Sequence, residues 1–158
     1  MLRAFSLNDD KSLGESQVID AHTDSIQCIA ATRDLLLTAC EDGCVRSFNL
    51  SDNSFNELVV KSALPARWIG VESVKGRAKR VALASDELIV KVVDLKDHLG
   101  VNLLQGHTKS VRSATWAPNG GVLATSSSDG SIKIWKEKNS QFECVKTIDG
   151  IIKAEDPE

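Results

Sequence analysis

Apolar and polar residues alternate along the chain in short stretches separated by turn signals. In Ser131-Ile132-Lys133-Ile134-Trp135 the isoleucines recur at every second position, the period of a half-buried strand. Ahead of it, Asp129-Gly130 supplies a tight hairpin, because glycine tolerates the positive φ such turns need. Further upstream, Val111–Trp116 predicts a strand and Ala117-Pro118-Asn119-Gly120-Gly121 a turn, and Val122–Ser126 predicts a second strand. After a connection over Lys136–Ser140, a fourth strand is expected from Phe142 to Thr147. No helix is required anywhere.

The same grammar recurs upstream. Strands are expected over Ser25–Ala30, Leu35–Cys40 and Cys44–Phe48, with turns near Arg33-Asp34 and at Asp42-Gly43 and an outer strand near Asn56–Val60. A middle repeat runs through Ala66–Ser73, a basic turn, Ala78–Ala84, a turn near Asp86-Glu87, and Leu88–Asp94. The anchors Phe5, Phe48, Val93 and Trp135 lie 43, 45 and 42 residues apart. A period in the low forties, filled with short strands, predicts one four-stranded unit per repeat. The boundaries follow: residues 1–19 as the second half of a preceding unit, 20–61, a degenerate 62–104, 105–148, and an acidic tail or linker over 149–158.

Composition narrows the function. The 158 residues carry 19 Lys plus Arg against 22 Asp plus Glu, so the net charge of −3 drives the protein onto neither phosphate backbones nor anionic lipid. Aromatic residues make up 4% and tyrosine is absent, which leaves few platforms for stacking bases or sugars. Cys28, Cys40, Cys44 and Cys144 form no CxxC pair and lie at no zinc-ligand spacing from a histidine. They are expected as small buried thiols in a reducing compartment, with no metal and no cofactor. No secretory leader and no membrane-spanning apolar run is present in these residues, so an intracellular protein is expected.

Gln105-Gly106-His107, Ser128-Asp129-Gly130 and Ile132-Lys133-Ile134-Trp135 resemble the Gly-His and Trp-Asp signature of WD-repeat β-propellers, although Lys136 stands where Asp is usual. The resemblance implies an all-β, partial WD-repeat propeller of about three and a half four-stranded blades out of seven. It also implies a hydrogen-bonded structural relay in each blade. The matching positions are His107, Thr125, Asp129 and Trp135, and in the earlier repeat His22, Thr38, Asp42 and Phe48. Phe48 has no N–H, so its relay must end one bond short. The middle repeat lacks a Gly-His near residue 64 and has Ala82 or Leu83 in place of the threonine, so apolar packing should replace its relay. A hydroxyl, a histidine and an aspartate also suggest a hydrolase triad, but no nucleophile elbow is present and the trio repeats with the structural period. No catalysis and no small-molecule substrate are expected.

Residues 78–136, above all Leu88-Ile89-Val90-Lys91-Val92-Val93-Asp94-Leu95 between two better Gly-His blades, are similar to the amino-terminal propeller of the WD-repeat and HMG-box DNA-binding protein family and its fungal chromosome transmission fidelity counterparts. That resemblance implies a non-catalytic nuclear, chromatin-associated scaffold for DNA replication and sister-chromatid cohesion. Its implied partners are DNA polymerase alpha and the replicative helicase. The alternative is a WD-repeat adaptor of another pathway, such as a ubiquitin ligase substrate receptor or a ribosome or RNA-processing assembly factor. Propellers close with more blades than this length supplies, so the chain is expected to be a fragment; a ring assembled from two chains would lack a complementary half-blade.

Two basic groups are candidate DNA or partner contacts: Lys75, Arg77, Lys79 and Arg80 in the middle repeat, and Lys109 with Arg112 near His107. For both, solvated charge is the competing expectation. Trp68 and Trp116 are expected to fill the core, His98 to sit in a polar loop without a role, and Asp9-Asp10 and Glu155-Asp156 to be solvated.

Overall fold

A computed structural model describes residues 2–50, 58–61, 66–96 and 100–150. β1 (Leu2–Leu7) and β2 (Leu13–Ile19) form a two-stranded antiparallel sheet. Three four-stranded sheets follow, each a simple up-and-down antiparallel meander. The first contains β3 (Ile26–Ala31), β4 (Leu35–Cys40), β5 (Cys44–Asn49) and β6 (Leu58–Lys61). The second contains β7 (Trp68–Val74), β8 (Arg77–Ala84), β9 (Val90–Asp94) and β10 (Val101–Leu104). The third contains β11 (Val111–Trp116), β12 (Val122–Ser127), β13 (Ile132–Lys138) and β14 (Gln141–Ile148). The described residues contain no helix. The expected all-β chain of four-stranded blades is therefore what forms.

One expected connection is corrected. Lys136, Glu137 and Lys138 continue β13, and the turn shrinks to Asn139 and Ser140, with φ of 51° and 63°. Two consecutive positive φ values make the hairpin type whose twist matches its strands; of the charged residues before it, Lys136 and Lys138 face solvent while Glu137 reaches Arg80 of the second blade. His98 and Glu155-Asp156 lie outside the described residues.

The blades stack face to face. Leu37, Ala39 and Val45 of the first blade pack with Ile69, Val81, Leu83 and Val93 of the second. On the opposite face of the second, Ala82, Ala84, Val90, Val92 and Leu104 meet Val111, Ala114, Trp116, Leu123 and Trp135 of the third. The middle sheet is thus covered on both sides, which explains why residues 81–84 form a continuous apolar run. A fully buried leucine such as Leu37 or Leu123 contributes about 1.5–3 kcal/mol by leaving water.

Two contacts set the spacing of the second and third blades along their innermost strands. Trp116 Nε1 donates to the Gly70 carbonyl at 3.1 Å, and Trp68 Nε1 donates to the Ala114 carbonyl at 3.2 Å. The strands approach so closely that a Cβ at Gly70 would fall inside the contact radius of the Ala114 oxygen. Trp116 is 9% exposed and belongs to the core as expected; Trp68 is 42% exposed, which corrects its expected burial. Its indole N–H serves the backbone of the next blade while one ring face stays in water.

Candidate functional site

In the third blade a chain of hydrogen bonds runs from the core to the β12–β13 turn. Trp135 Nε1 lies 2.9 Å from Thr125 Oγ1, which lies 2.8 Å from His107 Nε2, and His107 Nδ1 lies 2.9 Å from Asp129 Oδ2. An indole nitrogen only donates, and two lone pairs facing each other between Nδ1 and the carboxylate would repel. The network therefore assigns the proton to Nδ1: Trp135 donates to Thr125, Thr125 to His107 Nε2, and His107 to Asp129. Asp129 also accepts the Thr108 N–H at 3.0 Å, the Ser131 N–H at 2.9 Å and the Ser131 hydroxyl at 2.7 Å. Burial alone would raise its pKa, but these donors together hold it well below the usual carboxylate range.

The first blade keeps the positions and reverses the direction. His22 Nε2 lies 2.5 Å from Thr38 Oγ1, and Arg46, which sequence reasoning did not single out, reaches both His22 Nδ1 at 2.6 Å and Asp42 Oδ2 at 2.7 Å. A guanidinium can only donate, so Nδ1 carries the lone pair and Nε2–H donates to Thr38. Thr38 then faces the Arg46 carbonyl at 3.5 Å. Cys44 occupies the place of Ser131 and brings no hydroxyl to the carboxylate; its N–H still bonds Asp42 at 2.9 Å. Burial opposes the charge on Asp42, yet the Cys44 N–H and Arg46 outweigh it and depress its pKa strongly.

The middle blade replaces the relay with apolar side chains, as its sequence implied. Leu83 takes the threonine position opposite Lys91, just as Thr38 stands opposite Arg46 and Thr125 opposite Lys133. Ala66, Leu83 and Val93 pack in one core cluster. A remnant survives at its rim: Glu87, four residues after Leu83 as Asp42 is after Thr38, pairs with Lys91 at 3.6 Å.

His22, Cys40 and Asp42 bring ligand-type atoms within 4.8 Å of one another. The Arg46 cation already sits on the His22 and Asp42 atoms, and burial pushes the Cys40 thiol up, so it stays protonated and takes the Asp42 N–H at 3.4 Å. These side chains form a hydrogen-bonded turn. Likewise Thr125 is 1% exposed, so its hydroxyl cannot meet a substrate as a nucleophile would.

The basic candidates separate. Lys75, Arg77 and Lys79 are exposed at the β7–β8 hairpin, while Lys109 and Arg112 are exposed at the opposite end of the blades. Arg112 Nε donates to Ser128 Oγ at 2.6 Å, which ties it to the β12–β13 turn. Arg80 is withdrawn from any surface role, correcting its place among the contact candidates. It is 5% exposed, bonded to Glu72 through Nε at 2.5 Å and Nη2 at 2.9 Å, and bridged to Glu137 of the next blade at 2.9 Å. Its guanidinium lies 5.3 Å from the Trp116 ring centre and 4.9 Å from that of Phe142. Alternation decides this: Arg80 shares the inward face of Ala82 and Ala84, while Lys79, the extra residue of the bulge opposite Glu72 and Ser73, points out, a distinction no charge count reveals.

An arc of such blades, with a buried His–Thr–Asp relay beside the Asp-Gly turns of the first and the third, defines a repeat protein that presents loops from a rigid scaffold. The family described as WD domain, G-beta repeat matches residues 14–49 and 99–136, and the chain carries WD40 repeats folded as part of a propeller. Among curated proteins it is similar to Protein CIA1 of Arabidopsis thaliana, 50% identical over 48 residues that cover 30% of this chain and 14% of the relative. It is similar to Minichromosome loss protein 1 of Schizosaccharomyces pombe, 30% identical over 142 residues that cover 90% of this chain and 17% of the relative. It is also 36% identical over 66 residues to WD repeat and HMG-box DNA-binding protein 1 of Xenopus laevis, covering 42% of this chain and 6% of the relative. The solved structure of U3-55K superposes with a TM-score of 0.72 at 17% identity, over 85% of this chain and 42% of that one, a likeness of fold. The chain thus spans less than a fifth of the length of these curated relatives.

Proposed function

We propose that this WD40 protein-interaction scaffold serves nuclear DNA replication and sister-chromatid cohesion, docking components of the replication machinery without doing chemistry itself. One observation carries this. An alignment over 142 of the 158 residues to Minichromosome loss protein 1 necessarily crosses the degenerate middle blade, which the repeat family does not match between residues 49 and 99. The similarity to CIA1 covers 48 residues and is satisfied by repeat grammar alone. By the resemblance of residues 78–136, DNA polymerase alpha and the replicative helicase are the proposed partners, and the nucleus is the proposed location. Purification of the tagged full-length protein from replicating nuclei, followed by mass spectrometry, tests this. Enrichment of polymerase alpha and helicase subunits is expected; enrichment of ubiquitin ligase subunits or of ribosome-assembly factors in their place would overturn it.

A further inference from the structure

The β3–β4 and β7–β8 turns, from adjacent blades, face one cleft of about 530 Å3 lined by Arg33, Asp34, Lys75, Gly76 and Arg77. Asp34 is occupied: its Oδ1 accepts the Thr32 hydroxyl at 2.7 Å and the Ala78 N–H at 3.4 Å, tying the two turns together. The three cations are free of such ties, and none has an ion-pair partner among the described residues. Lys75 holds a φ of 53° ahead of Gly76 at 80°. In a two-residue turn of this kind Asn or Gly fits best, so a lysine there places a charge at a conformational cost. Arg33 lies across Gly76, where its Cδ would be 3.9 Å from an added Cβ.

A second cleft of about 450 Å3 shares Arg77 and is walled by Leu35, Val74 and Leu95, with Lys79, Lys96 and the carboxylate of Asp94 also lining it. Converging cations beside an apolar trough match a dianion attached to an apolar neighbour. A nucleic-acid backbone offers no apolar group for the trough, and a duplex needs a longer row of cations than three. We propose that the paired clefts bind a phosphorylated segment of a partner protein. Its phosphoserine or phosphothreonine is held by Arg33, Lys75 and Arg77, and an adjacent apolar side chain sits against Leu35, Val74 and Leu95. This rests on the scaffold function proposed above and names the chemistry by which one partner is recognised.

The test is fluorescence anisotropy of the full chain with three labelled probes: short peptides with one phosphoserine and degenerate flanks, the same peptides without phosphate, and a short DNA duplex. The phosphorylated pool should bind about tenfold tighter than its counterpart, the worth of one or two charge-assisted hydrogen bonds. Lys75→Asn suits the positive φ and Arg33→Ser touches no core, so each should weaken phosphopeptide binding severalfold with an unchanged thermal midpoint. Equal binding of the two pools overturns the proposal, as does phosphopeptide binding indifferent to both variants. Preferential duplex binding would reassign the clefts to nucleic acid. None of these results changes which proteins are recovered from replicating nuclei, so the clefts and the pathway fail separately.

Discussion

Arg46 donates to Nδ1 of His22 at 2.6 Å, and that contact runs the relay of its blade in the opposite sense to the relay through His107. The first blade lacks the indole that starts the chain in the third and has no serine hydroxyl beside its aspartate. The guanidinium supplies both deficits with one group. The two histidines should therefore be opposite neutral tautomers, with His22 protonated on Nε2 and His107 on Nδ1. Nitrogen-15 shifts of the two rings should show this at neutral pH, and matching tautomers would contradict it. In Arg46→Ala the His22 proton should move to Nδ1, which faces Asp42 Oδ2 at 3.5 Å.

Glu72 and Arg80 fasten the middle blade to the third. Arg80→Ala leaves a carboxylate with a side chain 1% exposed without its counter-ion, and urea denaturation should show a loss of about 3–5 kcal/mol. Replacing both residues with Met should recover most of that, because no buried charge is then stranded. Equal losses in the single and double variants would show that the stacking on Trp116 and Phe142 matters more than the ion pair.

Much of the architecture was legible in the chain. The period of the anchors and the Asp42-Gly43 and Asp129-Gly130 turns reveal four-stranded repeats, because turn chemistry and alternation are local properties. Thr125, His107 and Asp129 were found for the same reason, since their spacing repeats with the blade. Arg46, Glu72 and the inward face of Arg80 were not legible. Their partners come from other strands or other blades, and the bulge at Lys79 in β8 breaks the alternation between the exposed turn and Arg80. Arg33 was missed as a companion of Lys75 because 42 residues separate them in the chain.

Gly70→Ala tests the close approach of the innermost strands. The added methyl meets the Ala114 carbonyl oxygen and must push the second and third blades apart. A loss of about 1–3 kcal/mol is expected in urea denaturation, the usual cost of overpacking. Trp68→Phe keeps the half-exposed ring but removes the bond to the Ala114 carbonyl and should cost about 1 kcal/mol.

Acid should loosen all three blades. Asp42, Asp129 and Glu72 each titrate below their ordinary values of 3.8, 3.8 and 4.5; burial opposes this, and hydrogen bonds from Cys44 and Arg46, from Ser131 and Thr108, and from Arg80 and Gly121 outweigh it. A carboxylate depressed in the folded state stabilises fully above its unfolded pKa and loses that contribution as pH falls toward the folded one. The thermal midpoint should thus be flat from neutral pH to about pH 5 and fall below it. Asp129→Asn should start lower and fall less steeply, and a slope identical to that of the parent chain would remove Asp129 from the account.

The most direct test of the replication scaffold is capture of newly synthesised chromatin from cells expressing the tagged full-length protein. Nascent DNA is labelled briefly, isolated, and compared with DNA chased into mature chromatin. Enrichment on nascent over mature chromatin is the predicted result. Equal recovery from both, or a protein confined to the cytosol while DNA is being copied, would contradict it.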